Sequence, residues 1–171
     1  MAAAVLSSRV VSYRLFVRRE EIRFSAAHFT LFSDGTAERL HGHNYLVSLE
    51  IEGAQAPYGM LLNFHEFKET LREICGEMDE RTVLPTRNPD LNIREAGPQV
   101  EVRWKDRLYS LPKEDVLLLP LANATVEELA RHLADRLRER LGRRLVEAGV
   151  REFVLGVEES PGQGCRYRAS L

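Results

Sequence analysis

The run HGHNYLVSLEIE, His41 to Glu52, alternates strictly. His41, His43, Tyr45, Val47, Leu49 and Ile51 fall on one side of an extended chain, with Ser48, Glu50 and Glu52 on the other. A period of two predicts a strand with one face buried and one face wet, the pattern of an antiparallel sheet covered on one side. The segment before it has the same habit. From about Tyr13 to Phe29 the chain reads as a long strand, and in EIRFSAAHF the residues Ile22, Phe24, Ala26 and His28 share a face. The turn-rich SDGTAE between the two runs predicts that they pair antiparallel.

Helical spacing follows. After the turn GAQAPYGM, residues Phe64, Phe67, Leu71 and Ile74 form an apolar stripe over Phe64–Met78. A second helix is predicted over NATVEELARHLADRLRERLGRRLVEAG. There Thr125 with Glu128 three residues on has capping-box spacing, and Val126, Leu129, Leu133 and Leu137 line one face. Two strands, about Glu152–Glu158 and Cys165–Ala169, close the chain around SPGQG. Between the helices, Arg81 to Ala122 contains the turns of LPTRNPDL and a hairpin pattern, VEVRWKDRLYSL, with Lys105 and Asp106 at its tip. A structureless loop of that length is uncommon, so an inserted hairpin over about 84–120 is expected. Trp104 and Tyr109 would pack on the sheet or on a subunit interface. The order ββααββ, with two helices on one face of a four-stranded antiparallel sheet, is an α+β fold. At 171 residues the whole chain, 1–171, reads as a single domain with its own core.

Composition serves mainly to exclude. Twenty-four Lys and Arg against 26 Asp and Glu give a net charge of -2, which offers no electrostatic case for nucleic acid or a membrane surface. The basic RLRERLGRR is helical and reads as a solvated face. MAAAVLSSRV lacks a basic leader region and is too short to span a bilayer. Two cysteines, Cys75 and Cys165, are too few for a disulfide framework and read as small buried side chains. A cytoplasmic location is the expectation.

Three of the five histidines fall at chemically suggestive places. His41 and His43, two apart on a strand, point to the same side, and His28 lies on the apolar face of the neighbouring strand. Three imidazoles from adjacent strands supply the ligand set of a catalytic zinc with a fourth position open. His65 and His132, at the start of one helix and within the other, read as surface residues.

The pieces FSAAH, HGHNY, GMLLNFHEFK, MDERTVL, NATVEELA, and VEES before GCRYR occur in this order over most of residues 20–169. Together they resemble the 6-pyruvoyl-tetrahydropterin synthase and 6-carboxy-tetrahydropterin synthase family; the first dozen residues and the insertion lie outside the resemblance. It implies a tunnelling fold whose subunits form a homo-oligomer, a trimer or a hexamer of stacked trimers, with active sites at subunit interfaces. It implies that His28, His41 and His43 hold Zn2+ and that Glu159 anchors the ring of a small-molecule pterin substrate, with the adjacent Glu158 as the alternative. It also implies that Thr125 and Glu127 help to form the pterin pocket from a neighbouring subunit, beside the capping role of Thr125.

Two positions leave the family pattern. Its synthases carry a cysteine four to six residues before the first histidine of HGH, where this chain has Gly35, Thr36 and Ala37. What stands near is Glu38, giving E-x-x-H-G-H, the spacing of members in which a glutamate takes over proton transfer. Those members cleave 7,8-dihydroneopterin triphosphate to the folate precursor 6-hydroxymethyl-7,8-dihydropterin. An Asp-His acid/base pair after the first helix is also usual, and the matching positions here are Asp79 and Glu80. The expectation is therefore a zinc-dependent pterin lyase. The alternatives are a 6-pyruvoyl or 6-carboxy-tetrahydropterin synthase, in biopterin or queuosine rather than folate biosynthesis, or a non-catalytic zinc protein that binds pterins or purines.

Overall fold

The alternating runs build the main sheet. In the computed structural model, which describes residues 12–54 and 59–171, the elements in chain order are β1 (Ser12–His28), β2 (His41–Ala54), α1 (Phe64–Gly76), β3 (Arg81–Pro85), β4 (Asn92–Ala96), β5 (Gln99–Trp104), β6 (Arg107–Pro112), β7 (Val116–Leu119), α2 (Val126–Glu147), β8 (Glu152–Ser160) and β9 (Gln163–Ser170). The MAAAVLSSRV stretch and the QAPY of the predicted turn lie outside the described residues.

β1 and β2 pair antiparallel from Ser12 opposite Ala54 to His28 opposite His41. The register shifts midway. Arg18 faces Ser48 but Arg23 faces Leu46, so five steps along β1 answer two along β2 and β1 bulges. An odd number of extra residues switches which residues of a strand point inward. Val17 is buried before the bulge, whereas Ile22, Phe24, Ala26 and His28 are buried after it. The bulge thus aims His28 at the same side as His41.

β8 pairs with β2, and β9 with β8, to complete the antiparallel set β1-β2-β8-β9. The two helices cover one face. Phe67, Leu71 and Ile74 of α1, with Leu129, Leu133, Leu137 and Leu141 of α2, pack on Phe24, Tyr45, Val47, Leu49, Phe153 and Leu155. Each such side chain contributes about 1.5–3 kcal/mol when fully buried. Phe64, expected in this stripe, is instead 42% exposed, because it begins the helix at the edge of the core. Thr125 caps α2, its side chain accepting from the Glu128 N–H at 3.4 Å. The capping box does not close, because the Glu128 carboxylate accepts from the Ala122 N–H at 3.1 Å and pairs with Arg131. Among the described residues no helix is long and apolar enough to cross a membrane.

The region between the helices is richer than a hairpin. β3 and β7, neither of them assigned as a strand from the sequence, are short runs that extend the main sheet in parallel, in the order β7-β3-β1-β2-β8-β9. Their apolar runs of three and four residues, 83–85 and 116–119, carry no period, which is why their strand character was hidden among the turns. The predicted hairpin is β5–β6, and β4 adds a third antiparallel strand. This small sheet has its own core, in which Val100 and Val102 meet Phe29, Leu84 and Val116. Tyr109 packs on Phe29 of the main body at 5.5 Å between ring centroids.

Candidate metal centre

β1 and β2 end together, with Ala26 opposite His43 and His28 opposite His41. Ring centroids are 4.7 Å apart for His28 and His41, 4.8 Å for His41 and His43, and 5.4 Å for His28 and His43. One nitrogen from each ring lies within 4.8 Å of the others. His28 is buried, while His41 and His43 are more open to solvent.

Carbonyl groups fix two of the rings. His28 Nδ1 donates to the Ala124 carbonyl at 2.6 Å, and His41 Nδ1 to the Arg39 carbonyl at 2.7 Å. A carbonyl only accepts, so each neutral ring keeps its proton on Nδ1 and presents a bare Nε2. The Nε2 of His28 is buried and has no partner, while those of His41 and His43 lie 3.0 Å apart. Burial holds the His28 imidazole below its usual range despite the bond to Ala124, with His41 and His43 adding to the effect. A ring kept neutral, with an orphaned lone pair aimed at two other imidazoles, fits a borderline divalent cation such as zinc.

Tyr45 forms the floor. Its ring stacks on Phe24 at 4.8 Å and meets His28 and His43 edge-on at 5.9 and 5.6 Å. Its hydroxyl is buried without a partner, and burial, then the charges of Glu159 and Glu38, push the phenol pKa up.

Glu38 sits on the loop joining the two strands. Its N–H donates to the Thr30 carbonyl at 3.0 Å, and its Oε2 accepts from the Thr30 N–H at 2.9 Å. Partial burial raises its pKa, but the bonds from Thr30 and the nearby His41 and His28 outweigh it, so the carboxyl stays below its usual range. The loop is tied to the segment before α2 by Asn123, whose side chain accepts from the Leu31 N–H and donates to the Leu31 carbonyl, at 3.2 and 2.8 Å. The next residue, Ala124, supplies the carbonyl that orients His28. Neither Asn123 nor the Tyr45 hydroxyl was foreseen as part of this site. The signals were a polar residue just ahead of a helix cap and a tyrosine on the inward face two residues beyond H-x-H.

The remaining candidates are more dispersed. Asp79 Oδ1 accepts from the Ser25 N–H at 2.6 Å. Glu80, in a left-handed turn at φ 56°, lines a cleft of about 450 Å³ with Gly42, His43 and Asn44. Glu159 lies where the β8–β9 register shifts, accepts from Gln163 at 2.7 Å, and borders a second cleft that also reaches His43. Glu158 is occupied instead by Arg18 at 2.7 Å. Thr125 is committed as the cap of α2, and Glu127 is exposed in its first turn. Burial, with Asp79 nearby, pushes the Cys75 thiol up to about 12; burial and then Glu127 raise that of half-buried Cys165. Neither is an activated thiol. His65 is exposed as expected, but His132 is half-buried, its pKa lowered by burial and then by Arg136 and Arg131.

The sequence model of the family described as 6-pyruvoyl tetrahydropterin synthase matches residues 17–170. A Methanocaldococcus jannaschii protein, provisionally named a 6-carboxy-5,6,7,8-tetrahydropterin synthase, is 31% identical over 151 residues, covering 88% of this chain and 91% of the relative. The crystal structure of 6-pyruvoyl tetrahydropterin synthase from Plasmodium vivax superposes with a TM-score of 0.91 at 31% identity, over 94% of this chain and 99% of that one. A variant of the Plasmodium vivax protein, with a glutamate described as its catalytic residue changed to alanine, superposes with a TM-score of 0.90 at 30% identity and the same coverage. Fold, paired-strand histidines and a match across nearly the whole sequence agree: the chain belongs to the 6-pyruvoyl tetrahydropterin synthase family, whose enzymes are lyases acting on pterins.

Proposed function

We propose that this protein is a zinc-dependent lyase that cleaves the side chain of 7,8-dihydroneopterin triphosphate to 6-hydroxymethyl-7,8-dihydropterin. The observation that carries this reading is the Glu38 carboxylate, bound to Thr30 and beside His28 and His41, in a chain with no thiol there. The Plasmodium vivax relative, in which a glutamate is described as catalytic, supports it.

In this reading His28, His41 and His43 would hold the zinc. When bound, zinc supplies a Lewis acid that lowers the pKa of the substrate's side-chain hydroxyls. Glu38 has one oxygen committed to the Thr30 N–H and takes the hydroxyl proton on the other. The adjacent carbon–carbon bond breaks, that oxygen becomes the carbonyl of the departing phosphorylated aldehyde, and the electron pair passes into the pterin. A proton returned to the side-chain carbon gives the hydroxymethyl product. Of the pair Asp79 and Glu80, Glu80 is the proton donor, because the Asp79 carboxylate already accepts from Ser25 while Glu80 faces the cleft that reaches His43. Glu159 anchors the ring by accepting two parallel N–H bonds from its amino-pyrimidinone edge, and the engagement of Glu158 by Arg18 favours this choice. Thr125 and Glu127 complete the pocket from a neighbouring subunit of a trimer or hexamer, in a cytoplasmic enzyme.

A second reading, a 6-carboxy-tetrahydropterin synthase, is favoured by the name of the Methanocaldococcus jannaschii relative. Mass spectrometry of products from the zinc-loaded protein and 7,8-dihydroneopterin triphosphate separates the two. The 6-hydroxymethyl product is expected; a 6-carboxy or 6-pyruvoyl product transfers the protein to the synthases, and binding without conversion makes it a binding protein. Glu38→Gln is expected to lower turnover by about 10²–10⁴-fold while sparing the metal. Full turnover in that variant removes Glu38 as the base.

A further inference from the structure

The inserted sheet reaches the Glu38 loop at two polar points. Lys105, at the β5–β6 turn, donates from Nζ to the Gly35 carbonyl, and Arg107, the first residue of β6, donates from Nη1 to the carbonyl of Glu38 itself at 2.7 Å. Both cations lie over the ring of Trp104, 4.7 and 5.2 Å from its centroid, and that ring is only 8% exposed. Stacking on a buried aromatic narrows where two otherwise mobile side chains can go. Apolar contacts add to this. Leu31 and Leu40, near the two ends of the loop, pack into the core of the inserted sheet with Val100, Val102 and Tyr109.

The loop is therefore gripped on both sides. Asn123 holds Leu31 from the α2 side, and the inserted sheet holds Gly35 and Glu38 from the other. The bond from Arg107 restrains the peptide plane that follows Glu38, and so the backbone from which its side chain projects. The Thr30 N–H then selects where the carboxylate comes to rest.

We propose that the β4–β6 insertion is a positioning device for Glu38, with Arg107 as the positioning residue and Lys105 as its support. The proposal rests on the reading of Glu38 as the base. A base has to stand within about 3 Å of the proton it removes, and a misplacement of about 1 Å costs up to about 10²-fold in rate. A loop freed on one side reaches the productive placement only part of the time, so kcat suffers and substrate binding does not.

The test uses the full-length zinc-loaded protein carrying Arg107→Ala, Arg107→Lys or Lys105→Ala. Hydrogen exchange over residues 29–40 is measured, together with zinc content and turnover of 7,8-dihydroneopterin triphosphate. Arg107→Ala is expected to speed exchange at the Thr30 and Glu38 amides and to lower kcat about tenfold, with KM within about twofold and zinc unchanged. Arg107→Lys should restore most of both, and Lys105→Ala should show a smaller loss. Unchanged exchange overturns the grip, whatever the activity. Faster exchange with full turnover overturns the positioning role if Glu38→Gln is inactive. If Glu38→Gln also turns over normally, the failure belongs to the reading of Glu38 as the base. Loss of zinc in Arg107→Ala overturns the proposal too, because the substitution would then act through the histidines.

Discussion

The three histidines and Glu38 are neighbours held by different means. His28, His41 and His43 stand on paired strands, where a continuous backbone ladder and the packed inner face of the sheet set their directions. Glu38 stands on the connecting loop, whose own backbone contributes one isolated bridge, Leu31 to Ala37, and a few turn bonds. Polar restraints from outside the loop come from Asn123, Lys105 and Arg107, all distant in sequence. A metal needs ligands that do not move, and a sheet supplies them. A side chain placed on a loop can be exchanged or re-aimed without disturbing three rings that are held on paired strands.

The largest effect is expected from breaking the strand side. His41→Ala together with His43→Ala should reduce zinc from about one per chain to almost none by elemental analysis, since one remaining imidazole does not make a site. Chelation should lower the Tm of the parent protein and leave that of the double variant unmoved, because only the folded parent binds the ion. Residues 29–40 should keep their protection from exchange in the variant. Full zinc retention would place the metal elsewhere.

The same contrast explains what could be read in advance. The alternation of His41 to Ile51 placed two imidazoles on one face, and His28 fell into line with Ile22 and Phe24. Period-two reasoning therefore reached the histidine cluster without any tertiary information. It did not reach the bulge between Arg18 and Arg23, because an odd offset conserves the local pattern on each side and shows only in the register. The insertion was legible as a hairpin because Lys105 and Asp106 punctuate it. β3 and β7 were not, since aperiodic runs such as Thr82–Pro85 acquire strand identity only from the neighbours they pair with. The support of Glu38 was the least visible of all: a bond from an arginine to a backbone carbonyl 69 residues away leaves no trace in spacing.

Asn123 joins the two halves, and replacing it sharpens the comparison. Its side chain makes two bonds to Leu31 and accepts from the Ala124 N–H at 3.0 Å, in a partly buried setting. Asn123→Ala leaves the Leu31 groups unpaired, which should cost about 2 kcal/mol. For a domain of this size that is a fall of about 4–8 °C in Tm. The Ala124 carbonyl that orients His28 loses its anchor as well, so zinc affinity should weaken by about 10–100-fold, the usual effect of losing an outer-sphere partner. A fall in Tm with unchanged zinc affinity would mean that the histidines are positioned by the strands alone.

The smallest effect should carry the opposite sign. Among the described residues, the two buried side-chain atoms without a hydrogen-bond partner are His28 Nε2 and the Tyr45 hydroxyl, and both belong to the strand side of the site. In the proposed reading the orphan nitrogen is a ligand atom for the zinc. The hydroxyl has no such account, since its ring is fully buried against Phe24 and it lies outside the three-histidine group. Tyr45→Phe removes the unsatisfied group while keeping the ring, its stacking and its edge contacts with His28 and His43. The substrate-free protein should therefore gain about 1 kcal/mol, read as a rise of about 2–4 °C in Tm. A loss of stability would show that the hydroxyl is hydrogen-bonded in solution. With the gain, the strand side would be the part of the site where stability is given up to function, while the loop side, whose polar groups are engaged by Thr30, Asn123 and Arg107, would give up none.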